Sequence, residues 1–465
     1  MTYSLTMTCD VAVLGGGPGG MAAALSASTR GMRVVLIDGG GFLGYGLHGA
    51  YKSKGMWELA KDWIVARKLG YGYVPSGEEV RFNEIHARLQ SGVEQLTAMY
   101  LRYLALQKVQ FIHGFARFLD PNSVEVNGQR ISAKYFIIAT GSKPRPLPGV
   151  TVDGRLIMTS DEIVDVEEGF DSLIVVGAGV LGCEFASIFS AFGVHVTILD
   201  SADRLMGSED PDISDLLTNI YQKNGVSVRP SVRTKSIRAM DGEVKTELED
   251  GSVIVTARAL LAIGRISCSD TLNIPAAGVE ADIVGTIPVN DSLQTNVAHI
   301  YAVGDVGQRN TPLDLALVQV AEAEGRMAVK HICGEDIDTH PDHIPFIIFT
   351  MPMIAGAGLT ETQARKRHGN VRVAKFLNLR NHRYHAMRSS EGFLKLIVGP
   401  PGDDRVLGVR AVGAQADNVI GEVAVLIDNK IPYTYLLDCI HAHPSLAESL
   451  QNAARIIAGL LPPRH

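Results

Sequence analysis

Cysteine is scarce in this chain: five in 465 residues, with none between Cys9 and Cys183. Cys9, Cys183, Cys268, Cys333 and Cys439 form no Cys-x-x-Cys pair and no metal-ligand spacing. That excludes a zinc knuckle and leaves free, mostly buried thiols; no metal site is expected. Cys439 is the one to question, because His441 and His443 lie close to it. No apolar run is long enough to cross a bilayer, so no membrane partner is expected. Neither sign of charge dominates. Lys and Arg number 43 against 50 Asp and Glu, a net −7, and nothing points to nucleic acid. Met1-Thr2-Tyr3-Ser4-Leu5-Thr6 has no charged stretch ahead of an apolar one, so no secretory leader is expected and the expected location is the cytoplasm. Tandem repeats and low-complexity tracts are also missing.

Glycine is abundant, and twice it is ordered. Gly15-Gly16-Gly17-Pro18-Gly19-Gly20 follows the apolar run Val11 to Leu14. Gly177-Ala178-Gly179-Val180-Leu181-Gly182 follows Leu173 to Val176. Both fit G-x-G-x-x-G and open an alanine-rich helical stretch. Each leads to a second apolar run ending in an acid, Val34 to Asp38 and Val194 to Asp200, and each acid lies 18 residues after the last glycine. A lone glycine run is often only a tight turn. Strand, helix and acid in register, twice, describe two dinucleotide-binding βαβ units. Within each, the first glycine allows the turn, the second admits a pyrophosphate and the third lets helix and strand pack closely. The helix N-terminus faces the phosphates, and the acid accepts hydrogen bonds from a ribose. Two such sites suggest electrons passing between two cofactors.

Length allows two to four domains, and 46% hydrophobic with 20% charged residues is a globular composition. A glycine-rich loop, Gly39 to Gly49, leads to an expected helix from Lys54 to Leu69. Another is expected over Ile85 to Gln107. A buried strand, Tyr135 to Ser142, ends in a tight turn, and Pro144 to Gly149 reads as a linker. The second unit closes with Ala259 to Arg265. Ile300 to Val303 is a strand running into Gly304-Asp305, where the plain reading is a helix N-cap after a strand. Past Pro345, strands at Phe346 to Phe349, Val371 to Phe376, Phe393 to Val398 and Val406 to Val412 alternate with helices, an α+β pattern.

In this order the motifs resemble the pyridine nucleotide-disulfide oxidoreductases, among them dihydrolipoamide dehydrogenase, glutathione reductase, mercuric reductase and soluble transhydrogenase. The resemblance rests on both fingerprints, Ala139-Thr140-Gly141-Ser142-Lys143-Pro144, Glu184-Phe185-Ala186-Ser187, Ala302-Val303-Gly304-Asp305-Val306, Glu322-Ala323-Glu324-Gly325, Phe349-Thr350-Met351-Pro352 and His441-Ala442-His443-Pro444-Ser445-Leu446-Ala447-Glu448. It spans essentially the whole chain. It implies an α/β protein with two Rossmann-like domains, for FAD and NAD, and a C-terminal α+β dimerisation domain. The expected bounds are 1–150 for the FAD-binding domain, 151–270 for the NAD(P)-binding domain, 271–344 for a segment completing the FAD domain, and 345–465 for a homodimer-forming domain. By resemblance, Gly15, Gly17, Gly20 and Asp38 hold the adenine half of FAD. Thr140 and Gly141 lie at its pyrophosphate, and Asp305 bonds its ribityl chain. Gly177, Gly179, Gly182 and Asp200 take the nicotinamide dinucleotide. Asp200 favours NADH over NADPH, since a carboxylate repels a 2′-phosphate, although Arg204 lies four residues on.

One departure decides the chemistry. The family carries a redox-active cysteine pair ahead of a Ser-Lys element, which survives here as Ser53-Lys54. Counted back from it, the cysteine positions are Tyr45 and Ala50. Disulfide exchange needs an attacking thiolate, so that route is closed. Lys54 and Glu184 stand where relatives place an ion pair beside the flavin, or form a plain surface salt bridge. His443 and Glu448 correspond to an acid–base pair given by the partner subunit, or are kept for packing. Tyr45 and His48 either serve an acceptor near the flavin or fill space. His382, Arg383, His385 and Arg388 form a basic cluster that either attracts an anion or is a solvated hairpin. The leading expectation is an FAD-dependent NADH oxidoreductase delivering electrons directly to a small-molecule acceptor: a quinone, a dye, oxygen or a second nicotinamide. Flavin-dependent oxidation of a small thiol or other reductant, and a catalytically silent scaffold or sensor, are the alternatives.

Overall fold

The computed structural model describes residues 6–67, 79–309, 316–337 and 344–462. The short apolar runs become strands buried on both faces, as parallel sheets flanked by helices require. Val11, Ala12 and Val13 are wholly enclosed. A side chain of this kind contributes about 1.5–3 kcal/mol when fully buried.

The first sheet is ordered Gln110–His113, Val34–Asp38, Met7–Leu14, Gln129–Ile138, and continues into the antiparallel strands Ser123–Val126 and Arg117–Asp120. Ile300–Ala302 also pairs with Gln129–Ile138, in parallel, so a strand from late in the chain completes a sheet begun at residue 7. Helix Pro18–Thr29 starts with Pro at its first turn and lies against helix Val318–Ile332. Their approach is close: a Cβ on Gly325 would sit 2.2 Å from the Gly19 carbonyl oxygen.

The second sheet is ordered Ser227–Arg229, His195–Leu199, Ser172–Val176, Arg258–Leu261 and Ile157–Thr159, all parallel. A three-stranded antiparallel sheet spans Thr234–Thr256. The third large sheet is antiparallel, ordered Phe346–Ile348, Met353–Gly358, Val406–Gly413, Phe393–Val398 and Arg372–Leu377.

Several elements differ from their sequence expectation. Met353–Gly358, Met-Ile-Ala-Gly-Ala-Gly, is an interior strand that no strand signal announced, since glycine and alanine carry little β propensity. Packing needs them small: a Cβ on Gly356 would meet Arg410 and Phe346 at 2.8 Å. The loop expected over Gly39 to Gly49 gives way to a π-helical turn at Gly46–Tyr51. This runs into helix Lys52–Ala66, capped at Arg67; Lys68 and Leu69 lie outside the described residues. His382–Met387 is a short helix capped by Asn381 rather than an open hairpin.

Charges tie the second nucleotide unit to the C-terminal sheet. Buried Lys395 lies 3.2 Å from Asp210, 2.8 Å from Asp212 and 3.2 Å from Glu361. Arg410 meets Glu209 at 2.6 Å.

Candidate active site

The two glycine fingerprints fold into the same structure. Gly15 N–H donates to Ile37 O and Gly177 N–H to Leu199 O, each at 2.8 Å. Gly15 and Gly177 have φ of 110° and 105°, and a Cβ on either would lie 2.3 Å from a carbonyl oxygen, of Ala139 or Ala262. Gly20 and Gly182 hold helix to strand: a Cβ would come within 1.9 Å of Gly15 O or Gly177 O. Gly17 and Gly179 cap their helices, and a Cβ there would meet nothing within 4 Å. The middle glycine of each cradle therefore faces space that a ligand can enter.

The first cradle opens on a cleft of about 530 Å³, lined among others by Gly17, Asp38, Tyr45, Thr140, Gly141 and Asp305. That volume suits a nucleotide-sized ligand. Asp38 accepts the Gly16 N–H at 3.1 Å through Oδ1, while Oδ2 is buried without a partner. Burial pushes the Asp38 carboxyl up, against the pull of the Gly16 amide and the His113 and His48 imidazoles. Thr140 Oγ1 is a second orphan in the same wall. Orphaned polar atoms beside a glycine cradle are what ribose and phosphate oxygens satisfy, so the residues fit a dinucleotide.

At the other end stands a linked group. Asp305 accepts the Ser142 hydroxyl at 2.6 Å, so its side chain does not act as a helix cap. Ser142 in turn accepts from Arg265 Nε at 2.9 Å, and Arg265 pairs with Asp161 at 2.9 Å. The Arg265 guanidinium lies 4.1 Å from the centre of the Tyr45 ring. The sequence marks Arg265 only as the last residue of the stretch that closes the second unit; in the structure it opens the short strand Arg265–Ser267. His48 also lines the cleft, its ring held 3.2 Å from Phe42 O.

In the second cradle Asp200 accepts two backbone N–H groups, from Ala178 at 2.5 Å and Ala202 at 2.8 Å. Arg204 turns to the Gly207 carbonyl at 3.2 Å.

Helices Lys52–Ala66 and Val180–Ala191 pack together and bring Lys54 Nζ within 2.8 Å of Glu184 Oε2. Glu184 is buried; its other oxygen accepts the Phe349 N–H at 2.9 Å. Met351 N–H donates to Ser187 Oγ at 3.0 Å, and Trp57 Nε1 to Thr350 O at 3.1 Å. The Phe349–Met351 stretch thus clamps both helices. Lys54, Glu184 and Ala50 do not line the cleft; Lys54 follows Gly49 by little more than one helical turn.

His443 Nδ1 lies 2.9 Å from Glu448 Oε1, and Glu448 Oε2 accepts the Ser445 N–H at 2.8 Å. Partial burial would raise the Glu448 carboxyl, but these hydrogen bonds hold it below the usual range. The His443 ring is exposed and meets His382 edge-to-face, centroids 5.2 Å apart. Neither His443 nor Glu448 is among the described residues lining the cleft. Of the other basic cluster members, His385 is bonded to Leu379 O. Cys439 and Cys268 are free thiols of intermediate exposure, and no group of three or more metal-ligating side chains occurs among the described residues.

Residues 9–325 match the family model described as pyridine nucleotide-disulphide oxidoreductase, and 344–454 match that family's dimerisation domain. A dihydrolipoyl dehydrogenase of Bacillus subtilis (strain 168) is 34% identical over 463 residues, covering 97% of this chain and 99% of its own. One from Thermus scotoductus is 32% identical over 458 residues, covering 97% of each. The HOCl-induced flavoprotein disulfide reductase of Escherichia coli superposes with a TM-score of 0.86 at 26% identity, over 96% of this chain and 99% of that one.

Proposed function

The chain belongs to the pyridine nucleotide-disulphide oxidoreductase family, and from that premise we propose that it is an FAD-dependent oxidoreductase oxidising NADH in favour of an acceptor that is not reduced by disulfide exchange. One combination carries this reading: two glycine cradles and a Lys54–Glu184 pair, in a chain with no cysteine between residues 9 and 183.

When bound, FAD supplies a ring system that takes up a hydride and gives up its electrons to an acceptor. Everything else falls to the chain. Gly15, Gly17 and Gly20 bring the backbone and a helix N-terminus to the pyrophosphate. The orphaned Asp38 oxygen takes a ribose hydroxyl, Thr140 and Gly141 border the phosphates, and Asp305 holds the ribityl chain. Gly177, Gly179, Gly182 and Asp200 do the same for the nicotinamide dinucleotide, with Asp200 disfavouring a 2′-phosphate. Lys54, fixed by Glu184, is a cation that stabilises negative charge gained in the reaction.

The relatives named above are called for dihydrolipoyl and disulfide chemistry. This chain departs from it at Tyr45 and Ala50, where no sulfur stands to attack a disulfide. A quinone, a dye, oxygen or a second nicotinamide remain as acceptors. The dimerisation domain is read as forming a homodimer, and the exposed His443, oriented by Glu448, is the group available to deliver a proton.

Anaerobic stopped-flow mixing of the FAD-loaded protein with NADH tests the reading. Rapid bleaching of the flavin band is expected, followed by reoxidation with a quinone and not with a small disulfide. No bleaching with NADH or NADPH, or fast turnover of the disulfide, would overturn it.

A further inference from the structure

One face of the C-terminal sheet carries a row of cations. Lys375 of Arg372–Leu377 stands opposite Lys395 of Phe393–Val398, and Lys395 stands opposite Arg410 of Val406–Gly413. Like charges directly opposite one another weaken a sheet. Lys395 and Arg410 are also buried, which is costly unless each charge is paired. Gly356, opposite Arg410 on the next strand, has no side chain to obstruct it, and the guanidinium lies 5.0 Å from the centre of the Phe346 ring. Apolar side chains would join this face to the second nucleotide unit without those costs. The row therefore answers to more than adhesion.

Its partners in the nucleotide unit all come from one short stretch. Arg410 meets Glu209 at 2.6 Å, Lys395 lies 3.2 Å from Asp210, and Asp212 is shared by Lys395 at 2.8 Å and Lys375 at 2.6 Å. Asp210 also accepts the Glu361 and Thr362 amides at 2.9 and 3.0 Å. Glu209 N–H donates to Met206 O at 2.9 Å, and Met206 N–H donates to Ala178 O at 2.9 Å. Ala178 stands between Gly177 and Gly179, and its own N–H is bonded to Asp200. Met206 is buried at φ 51°, a left-handed conformation that a side chain of this size keeps only where its surroundings impose it. The anchored carboxylates follow three and four residues later.

We propose that Arg410 and Lys395 are positioning residues for the nicotinamide dinucleotide: they hold Glu209 and Asp210, and through them the Met206 turn that supports the cradle peptide at Ala178. The C-terminal domain thereby sets how tightly the second cradle binds its nucleotide. The inference rests on the reading of that cradle as the NADH site.

Replacing a buried ion pair on both sides keeps the packing, whereas removing one partner strands a charge. The double variant Glu209→Met, Arg410→Met should therefore fold and take up FAD as the parent does, but bind NADH about tenfold more weakly. ADP-ribose, which lacks the nicotinamide, should weaken by the same factor, because the loss lies in the cradle. Flavin reduction at saturating NADH should stay near the parent rate. Asp210→Asn, acting on the other anchor, should weaken NADH about threefold, and it carries the test if the double variant does not fold. Parent-like NADH affinity in either folded variant overturns the proposal, as does an equal loss of FAD affinity, which would mean general loosening. A parent that binds none of NADH, NADPH and ADP-ribose would instead remove the nucleotide reading of the second cradle, and this inference with it.

Discussion

Lys54 and Glu184 are 130 residues apart in sequence, yet their charged groups meet at 2.8 Å on the contact between two helices, each of which follows one of the glycine-rich segments. Glu184 is buried, while about a third of the Lys54 side chain is exposed. The carboxylate is therefore the fixed partner, doubly held by Lys54 and the Phe349 amide. A surface salt bridge worth a fraction of a kcal/mol does not anchor one partner in this way.

Lys54→Met should slow reduction of the bound flavin by NADH about 100-fold, in line with the loss of one pre-positioned charged donor. NADH affinity should change much less. Single-turnover stopped-flow separates the two quantities, and an unaltered reduction rate would remove Lys54 from the chemistry.

Much of the nucleotide-binding architecture was legible because its signal is local. A glycine that must adopt φ near 110° between a strand and a helix leaves a mark within six residues, and the acid follows at the spacing a βαβ unit dictates. The Met353–Gly358 strand left no such mark, because its small residues answer to Arg410 and Phe346 across the sheet. Arg265 was hidden for the same reason. Its partners Ser142, Ser160, Asp161 and Tyr45 come from three distant stretches of chain. Lys395 and its carboxylates are likewise set by domain packing, which no sequence period encodes.

Asp200→Ala should weaken NADH about tenfold, the scale of a charge-assisted hydrogen bond, and NADPH much less. The carboxylate helps the 2′-hydroxyl and hinders the 2′-phosphate. Titrating both nucleotides against each protein reads the ratio directly. Equal losses for the two would show that Asp200 acts only through the Ala178 and Ala202 amides it holds.

Gly17 and Gly20 should respond in opposite ways to alanine. Gly17 has φ −68° and ψ −177°, open to any residue, and an added Cβ touches nothing. Gly17→Ala should therefore melt like the parent but bind FAD at least about tenfold more weakly, as its methyl group occupies the pyrophosphate's approach. Gly20→Ala forces a Cβ to 1.9 Å from Gly15 O and should fail to fold stably. Paired melting and FAD titration distinguish the two. Full FAD affinity in Gly17→Ala would mean that the cradle is only a turn.

Asp210 gives a pH-dependent test of the buried charges between the second nucleotide unit and the C-terminal sheet. Burial pushes its carboxyl up, but the Thr362 hydroxyl and the Thr362 and Glu361 amides, together with Lys395, hold it below its ordinary value. An acid whose folded pKa is depressed adds stability that is fully present above its unfolded pKa, about 3.9, and lost as pH falls through the folded value. Asp210→Asn keeps the shape and removes the charge, while Lys395 retains Asp212 and Glu361. The expected cost at neutral pH is about 2–3 kcal/mol by chemical denaturation. The gap between parent and variant should narrow as pH drops below about 4, because protonation then gives the parent the same neutral side chain. A gap that stays constant down to acid pH would mean that the amide's shape and not the lost charge causes the destabilisation.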